Sequence, residues 1–452
     1  MMTTGNYVDT ETMALRREKR SERQIELIKK YKTPLICFTM NIPGEIKFSP
    51  LIETVFSYGV ESLFKEFSSN IIHFEQVHCN TGCEAFFSVN ADASLIKEQA
   101  VLLENSLAAG RLYDIDVIGS DGIKLSRNEQ RKCIICGNPA AVCARSRAHG
   151  LEALKKAANE ILIKSVCGYI SGAAADALMA EVHLTPKPGL VDENNSGANS
   201  DMDILLFEKS IRVLKPYFRK FAEYNILHFT GQINSAFTDT LRTLGIEAEK
   251  AMMEATGGVN THKGAIYSLG LIVSAYAISA SGKSLLSCQD KFSEECSPEK
   301  ILFIASRLAI SLEQSGKCSE AQIKINPNIS EAVVQAEKGF PAAFNALKAY
   351  HKALEYDTEI NAWIYALLKI MSELSDKNIL RRGGTAGAEF VKTNGSALLK
   401  KGANLEIKDL YDFDSELIAR NLNCGGCADI LAAAMLLNTI DNTQKAGAFC
   451  AD

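Results

Sequence analysis

Almost no charge imbalance marks this 452-residue chain: 49 basic against 54 acidic side chains leave a net charge of -5. A polyanion partner needs a basic footprint, so broad nucleic-acid binding is not expected, and any anionic ligand must be met locally. Long apolar runs are also missing. The longest, Ala265 to Ala280, is interrupted by Tyr267, Ser268, Ser274 and Tyr276 and falls short of the roughly 20 residues a spanning helix needs. It reads as a central buried helix, and no membrane partner is expected. No secretory leader precedes the 13 scattered cysteines, whose odd number suits reduced thiols and a cytoplasmic protein. No low-complexity linker divides the chain, yet it is longer than one hydrophobic core normally serves.

What is present differs between the two halves. Leu35–Met40 and Ala85–Val89 are short apolar runs bounded by turn residues such as Asn41-Ile42-Pro43-Gly44, and they read as strands. Helical patterns fill Thr10–Lys30, Ser49–Phe67 and Leu151–Leu162. Residues 1–165 are therefore expected to form an α+β domain. Beyond them strand-like alternation gives way to amphipathic or buried helical patterns over Ile204–Tyr224, Ile301–Leu312, Glu331–Tyr356, Ile360–Leu374 and Ile430–Leu437. Residues 166–452 are expected to be all-α.

The second half carries an unusual loop, TPKPGLVDENNSGANSDMD, from Thr185 to Asp203. Two prolines fix φ around Lys187, and Asp192, Asp201 and Asp203 follow. A preset cation beside carboxylates suits a polyphosphate with its magnesium, although a hydrophilic helix connection is the plain alternative. Three Gly-rich clusters add to it: TGGVNTHKG with Asn260, His262 and Lys263; RRGGTAG with Arg382, Gly383 and Gly384; and NCGGCAD with Asp429. Paired glycines let backbone approach a ligand, and helix starts beside them favour anions. Gly-Gly also terminates helices, and the Arg pair suits a helix C-terminus. Cys424 and Cys427 read as small packing residues.

TPKPGLVD, ATGGVNTHKGA, Gly339-Phe340-Pro341 preceded by Glu337, and GGCAD together resemble the triphosphoribosyl-dephospho-CoA synthase family, over about the last 285 residues. The resemblance implies ATP and dephospho-CoA as substrates, release of adenine, and attachment of triphosphoribose to the 2'-hydroxyl of the dephospho-CoA ribose. Lys187, Asn260, His262, Lys263, Arg382, Gly383 and Gly384 would then bind phosphate. Asp201, Asp203 and Asp429 would hold magnesium, with Asp192 and Glu337 as candidates for the base. Where the family reads Gly-Ala-His before Asp-Met, this chain has Asn199.

In the first half, GRLYDIDV from Gly110 to Val117 reads as a strand with Arg111 and Tyr113 on one face and Leu112, Asp114 and Asp116 on the other. Two facing carboxylates at 4 Å repel by about 4 kcal/mol at an effective dielectric of 20, so a cation or a proton is expected between them, with magnesium the natural answer. Such D-x-D pairs recur in nucleotidyltransferases, which makes the domain nucleotidyltransferase-like; a solvated pair is the plain alternative. Arg127, Arg131, Lys132, Arg145, Arg147 and His149 supply cations nearby for a triphosphate, or form a solvated basic face. Cys133, Cys136, Cys143 and His149 are spaced as C-x2-C-x6-C-x5-H, which suits zinc and suits small buried thiols equally. His73, His78, His183, His228 and His351 read as ordinary residues.

GRLYDIDV, NIPG with Lys47, and RKCIICGNPAAVCARSRAH resemble the citrate lyase holo-acyl-carrier-protein synthase family, over about the first 165 residues. That implies a partner, the apo-acyl carrier subunit of citrate lyase, modified at a serine with release of diphosphate. The two resemblances name consecutive reactions. The same pair serving malonate decarboxylase is the near alternative, and a zinc-knuckle nucleic-acid-binding protein the distant one.

Overall fold

The computed structural model describes residues 7–285, 296–315 and 331–448. Contacts divide the chain into two units, one built on residues up to Gly168 (with Ala280–Gly282 and Asn442–Asp452) and one on Tyr169–Ser279 and Lys283–Asp441.

The first unit runs α1 (Thr10–Tyr31), β1 (Leu35–Met40), α2 (Pro50–Phe67), β2 (Ile71–Cys79), β3 (Gly82–Val89), α3 (Ala93–Ser106), β4 (Tyr113–Ile118), α4 (Ala140–Ser146) and the start of α5 (Leu151–His183). Its sheet has the order β2-β3-β1-β4, every pairing antiparallel. Helix ends follow local chemistry: Asp9 caps α1 by accepting from the Thr12 amide at 2.7 Å, and Ser49 with Pro50 starts α2. Register sorts the sheet into two faces. On one, Phe38 stacks on Phe56 of α2 at 4.7 Å and meets the Tyr113 ring edge-on at 5.0 Å, while the Tyr113 hydroxyl donates to the Val55 carbonyl. Burying each such ring contributes roughly 2–3 kcal/mol. On the other, Leu27 of α1 packs on Leu35, Cys37, Phe86 and Ile118.

That second face is also charged. Thr39 lies between Glu84 and Asp114, and Cys37 between Phe86 and Asp116; Arg16 and Arg20 of α1 pair with Glu84 at 2.5 and 3.2 Å. Two expectations need correction. Strand β4 begins at Tyr113, because Gly110 and Leu112 close turns onto the Leu107 and Ala109 carbonyls, so Arg111 stands on a turn and not on the far strand face. Strand β2, IIHFEQVHC, was not expected from its polar sequence; its Glu75 is held by Arg23 and its His73 stacks on Tyr31.

The second unit is helical throughout its described residues: the rest of α5, then α6 (Ile204–His228), α7 (Ser235–Ala255), α8 (Lys263–Ala280), α9 (Pro298–Ser315), α10 (Glu331–Glu337), α11 (Pro341–Ala353), α12 (Glu359–Glu373), α13 (Lys377–Lys401), α14 (Ile407–Ala419) and α15 (Gly425–Ala448). Helix α8 contains the run from Ala265 and is almost wholly buried. Both α5 and α8 are long and apolar enough to span a membrane by length and composition, but their apolar windows are mostly buried within the protein, as in core helices. The stretch expected as one helix from Glu331 to Tyr356 is broken at Gly339 and Phe340, both at positive φ. RRGGTAG does not flank a helix but lies inside α13, which kinks at Gly384.

Candidate functional site

In the helical unit a cavity of about 540 Å³ opens where three helices begin. Lys263 and Gly264 of α8, Lys377 and Asn378 of α13, and Gly425 and Gly426 of α15 all line it. The positive ends of three helix dipoles converge here and together favour an anion, with the Lys263, Asn378 and Gly425 amides themselves capped by Asn260, Asp376 and Asn423. Arg381 and Arg382 add guanidinium groups to the lining.

Carboxylates stand against these helix starts. Asp376 is buried, caps α13 through the Asn378 amide at 2.7 Å, and accepts from the Cys427 amide at 3.2 Å. Asp429 lies so close to α8 that a Cβ on Gly264 would overlap its carboxylate, and a Cβ on Gly426 would lie 2.9 Å from Asp376 Oδ2. The glycine clusters therefore admit acidic side chains as well as ligand. Burial, with Glu181 and Asp376 nearby, pushes the Asp429 carboxyl well above the usual range, and burial also raises Asp376. Glu331, likewise in the lining, is raised by burial and by Asp376. Crowded carboxylates of this kind gain from a bound cation.

The proline-flanked loop buttresses this cavity. Lys187 is 2% exposed and its Nζ donates to Glu181 Oε1 and to the Glu181 carbonyl, both at 2.6 Å. Its charge is thus already paired, and removing either partner would strand the other at a cost of about 3–5 kcal/mol. Asp192 accepts from the amides of Lys187, Asn194 and Asn195, while Asp414 of α14 accepts from Gly189 and Asn195. His262 is 3% exposed and bonds Ser210 Oγ through Nδ1 at 2.7 Å. Thr261 donates to that same oxygen; with the Ser210 hydroxyl donating in turn to Nδ1, the imidazole proton would sit on Nε2. Burial and the Lys187 charge push the imidazole down to about 3, so it is neutral.

Several expected residues meet at this cavity and several do not. Lys187, Asn260, His262, Lys263, Arg382, Asp201 and Asp429 line it. Asp192, Asp203, Glu337, Gly383 and Gly384 are absent from the lining. Asp203 caps α6, accepting from the Leu206 amide at 2.8 Å, and Asn260 performs the same service for Lys263 at 3.1 Å. Asn199 sits in the lining and accepts from both Arg382 and Asn423. Glu181, Glu331 and Asp376 were missed because each is a single acid on a helix or helix edge, and only the assembled fold brings them together. Cys424 and Cys427 are fully buried, and hydrogen bonding with Cys424 together with burial holds the Cys427 thiol well above its usual value.

The first unit has a smaller cavity of about 300 Å³, lined by Asn41 and Pro43 of the NIPG turn, Arg111, Arg131, Lys132, and the cluster of Cys133, Cys143 and His149. Arg111 is pulled below its usual value by burial and by Arg131 and Arg127. The facing carboxylates are not bridged by a shared cation: Asp114 pairs with Arg131 at 3.3 Å and Asp116 with Lys124 at 2.6 Å. Arg131 also meets Glu104 at 3.2 Å, and Arg127 is held by the same Glu104. Lys47 folds back to the Ile42 carbonyl, whereas Arg145 and Arg147 are exposed. Backbone N–H groups of Cys136 and Ile135 lower the Cys133 thiol, while hydrogen bonding with Cys136 and burial push Cys143 up to about 11.

Comparison with known proteins gives two family matches. The family model described as ATP:dephospho-CoA triphosphoribosyl transferase matches residues 167–447, and that described as apo-citrate lyase phosphoribosyl-dephospho-CoA transferase matches residues 8–165. The chain is 32% identical to the protein CitXG of Haemophilus influenzae, over 95% of this chain and 96% of that protein. It is 31% identical to CitXG of Leuconostoc mesenteroides subsp. cremoris, over 93% and 95%. The 2-(5''-triphosphoribosyl)-3'-dephosphocoenzyme-A synthase of Haemophilus ducreyi is 34% identical over 66% of this chain and 97% of that protein.

Proposed function

The chain belongs to the ATP:dephospho-CoA triphosphoribosyl transferase family, joined to a domain of the apo-citrate lyase phosphoribosyl-dephospho-CoA transferase family, and from that premise we propose how each unit works. It is a bifunctional transferase that synthesises and transfers the prosthetic group of citrate lyase. We assign synthesis to residues 166–452 and transfer to residues 1–165. Both steps belong in the cytoplasm, in keeping with free thiols among the described cysteines; Cys288, Cys318 and Cys450 lie outside the described residues.

In the helical unit, the triphosphate of ATP rests at the starts of α8, α13 and α15, with Lys377, Arg381 and Arg382 beside it. The carboxylates of Glu181, Asp376 and Asp429 fit a magnesium ion, because burial and then the neighbouring acids already raise the proton affinity of Asp429; bound there, it would neutralise triphosphate charge. The dephospho-CoA 2'-hydroxyl bonds to the ATP ribose carbon as the bond to adenine breaks; Glu331, whose raised proton affinity suits a base, takes the hydroxyl proton, and adenine leaves with the bonding electron pair and takes up a proton from water. His262 offers its Nε2 hydrogen to an oxygen of the substrate, in keeping with the burial of that atom without a partner. One observation carries this reading: three helix starts meet over a crowded set of carboxylates.

In the first unit, Arg111, Arg131 and Lys132 hold the triphosphate of the intermediate. The carrier serine attacks the phosphate next to the ribose, and diphosphate leaves. The nucleotidyltransferase-like assignment and a magnesium role for Asp114 and Asp116 rest on the D-x-D motif, and metal binding there would displace Lys124 and Arg131 from their pairs. The test is to incubate the full chain with ATP, dephospho-CoA and magnesium, then add the apo-acyl carrier subunit. Adenine and a triphosphoribosylated product are expected first, and a carrier heavier by the phosphoribosyl-dephospho-CoA group second. Adenine release without dephospho-CoA at an equal rate would overturn the synthesis reading, and an unchanged carrier mass the transfer reading.

A further inference from the structure

The segment from Lys132 to His149 holds three thiols and an imidazole that neither reaction consumes. Cys133 opens a tight hairpin: its amide donates to the Asn138 carbonyl at 2.6 Å, Lys132 bridges to Pro139, and Gly137 turns the chain at φ +74°. The Ile135 amide points at Cys133 Sγ at 3.5 Å, as amides do toward a thiolate that carries metal charge. Helix α4 then presents Cys143 from its last turns, and Arg147 in the left-handed conformation reverses the chain so that His149 returns. The four ligand atoms lie within 4.8 Å of one another, and they form the only such grouping found among the described residues.

The spacings discriminate between chemistries. Cys136 and Cys143 sulfurs are 3.5 Å apart, and His149 Nε2 is 3.3 Å from Cys136 Sγ. A disulfide needs about 2.0 Å between sulfurs, whereas tetrahedral zinc with bonds of about 2.3 Å to sulfur separates its sulfurs by about 3.7 Å. We propose that Cys133, Cys136, Cys143 and His149 bind one zinc ion in a closed Cys3His site that braces the anion cavity of the first unit. The set is complete without water, so the ion is structural. Its place is informative: Cys133, Cys143 and His149 share the cavity lining with Arg111, Arg131 and Lys132. Arg131 and Lys132 directly precede the first ligand, so the ion fixes where those cations stand.

The full chain, loaded with zinc at neutral pH and then desalted, is assayed by elemental analysis. About one zinc per chain should be retained, falling at least tenfold in Cys136→Ser and in His149→Ala and unchanged in Cys79→Ser, which lies outside the cluster. Replacement by cobalt should give thiolate-to-cobalt charge-transfer absorption in the near ultraviolet and the visible bands of a tetrahedral site. Wild-type protein that retains less than a tenth of an equivalent would overturn the proposal without reliance on any variant's folding; so would full retention in Cys136→Ser. Removal of zinc with a chelator, followed by removal of the chelator and restoration of magnesium, should slow carrier modification while sparing adenine release. That last readout rests on the transfer reading above, whereas metal content does not, so the two fail separately.

Discussion

The two cavities handle charge differently: among the described residues the smaller is lined by cations without carboxylates, the larger by carboxylates and cations together. In the sheet-bearing unit guanidinium groups gather, and Arg111 is pulled down by burial and then by Arg131 and Arg127. In the helical unit carboxylates gather, and Asp429 is pushed up by burial and then by Glu181 and Asp376. Each kind of crowding is relieved by a ligand of the opposite sign, so the first cavity is complementary to phosphate directly and the second to phosphate accompanied by a cation. On the reading proposed above, the helical unit can hold acidic groups beside an anion site because helix starts share the attraction for phosphate with Lys377, Arg381 and Arg382.

The sharpest way to break this comparison is Asp429→Asn. Removing one charge from the crowded set should lower adenine release by roughly a hundredfold or more, while carrier modification from preformed intermediate continues. The converse variant, Arg111→Ala, should slow carrier modification by about 10- to 100-fold and leave adenine release alone. Equal loss of both activities in either folded variant, measured by adenine chromatography and carrier mass, would mean that the cavities do not act separately.

The difference between the units also governed what the sequence disclosed. Buried apolar runs were legible: Leu35–Met40 is β1 and the run from Ala265 is α8. Strand β2 was not, because Glu75 and His73 look like surface residues until Arg23 and Tyr31 of α1 cover them. Glycine clusters were legible as sites of close approach, but which group approaches was not: the nearest atoms to Gly264 and Gly426 belong to Asp429 and Asp376. Lys187 stood out as a preset cation, yet its partner Glu181 is a lone acid within α5. Asn199 could be seen to replace a histidine; that Arg382 and Asn423 would grip it could not.

A pH measurement sharpens the electrostatic side. His262 is neutral when folded, with its pKa pushed to about 3 by burial and Lys187, whereas in an unfolded chain it would take a proton below about pH 6.5. The unfolded state therefore binds more protons between these values. Stability is fully present above about pH 6.5 and falls as pH drops toward 3. Denaturant titrations of wild type and His262→Gln should show this acid loss reduced in the variant, by on the order of a few kcal/mol between pH 7 and pH 4. Parallel curves would show that the imidazole is solvated in the folded protein.

The smallest effect separates two readings of one residue. From sequence, Asp203 is a magnesium candidate at the end of the proline-flanked loop; in the fold it accepts from the Leu206 amide at 2.8 Å and starts α6. Asp376 is also a cap but stands in the cavity lining, whereas Asp203 stands outside it, so Asp203 is not placed to share a metal ion with the carboxylates gathered there. Asp203→Ala should therefore cost about 1 kcal/mol of stability, seen as a small drop in unfolding temperature, with the magnesium dependence of adenine release unmoved. Asp203→Ser, which keeps an oxygen able to accept from the same amides, should recover most of that stability. If the alanine variant instead needs several times more magnesium for half-maximal adenine release, Asp203 belongs to the metal site, and the carboxylates that answer the triphosphate extend beyond the cavity floor.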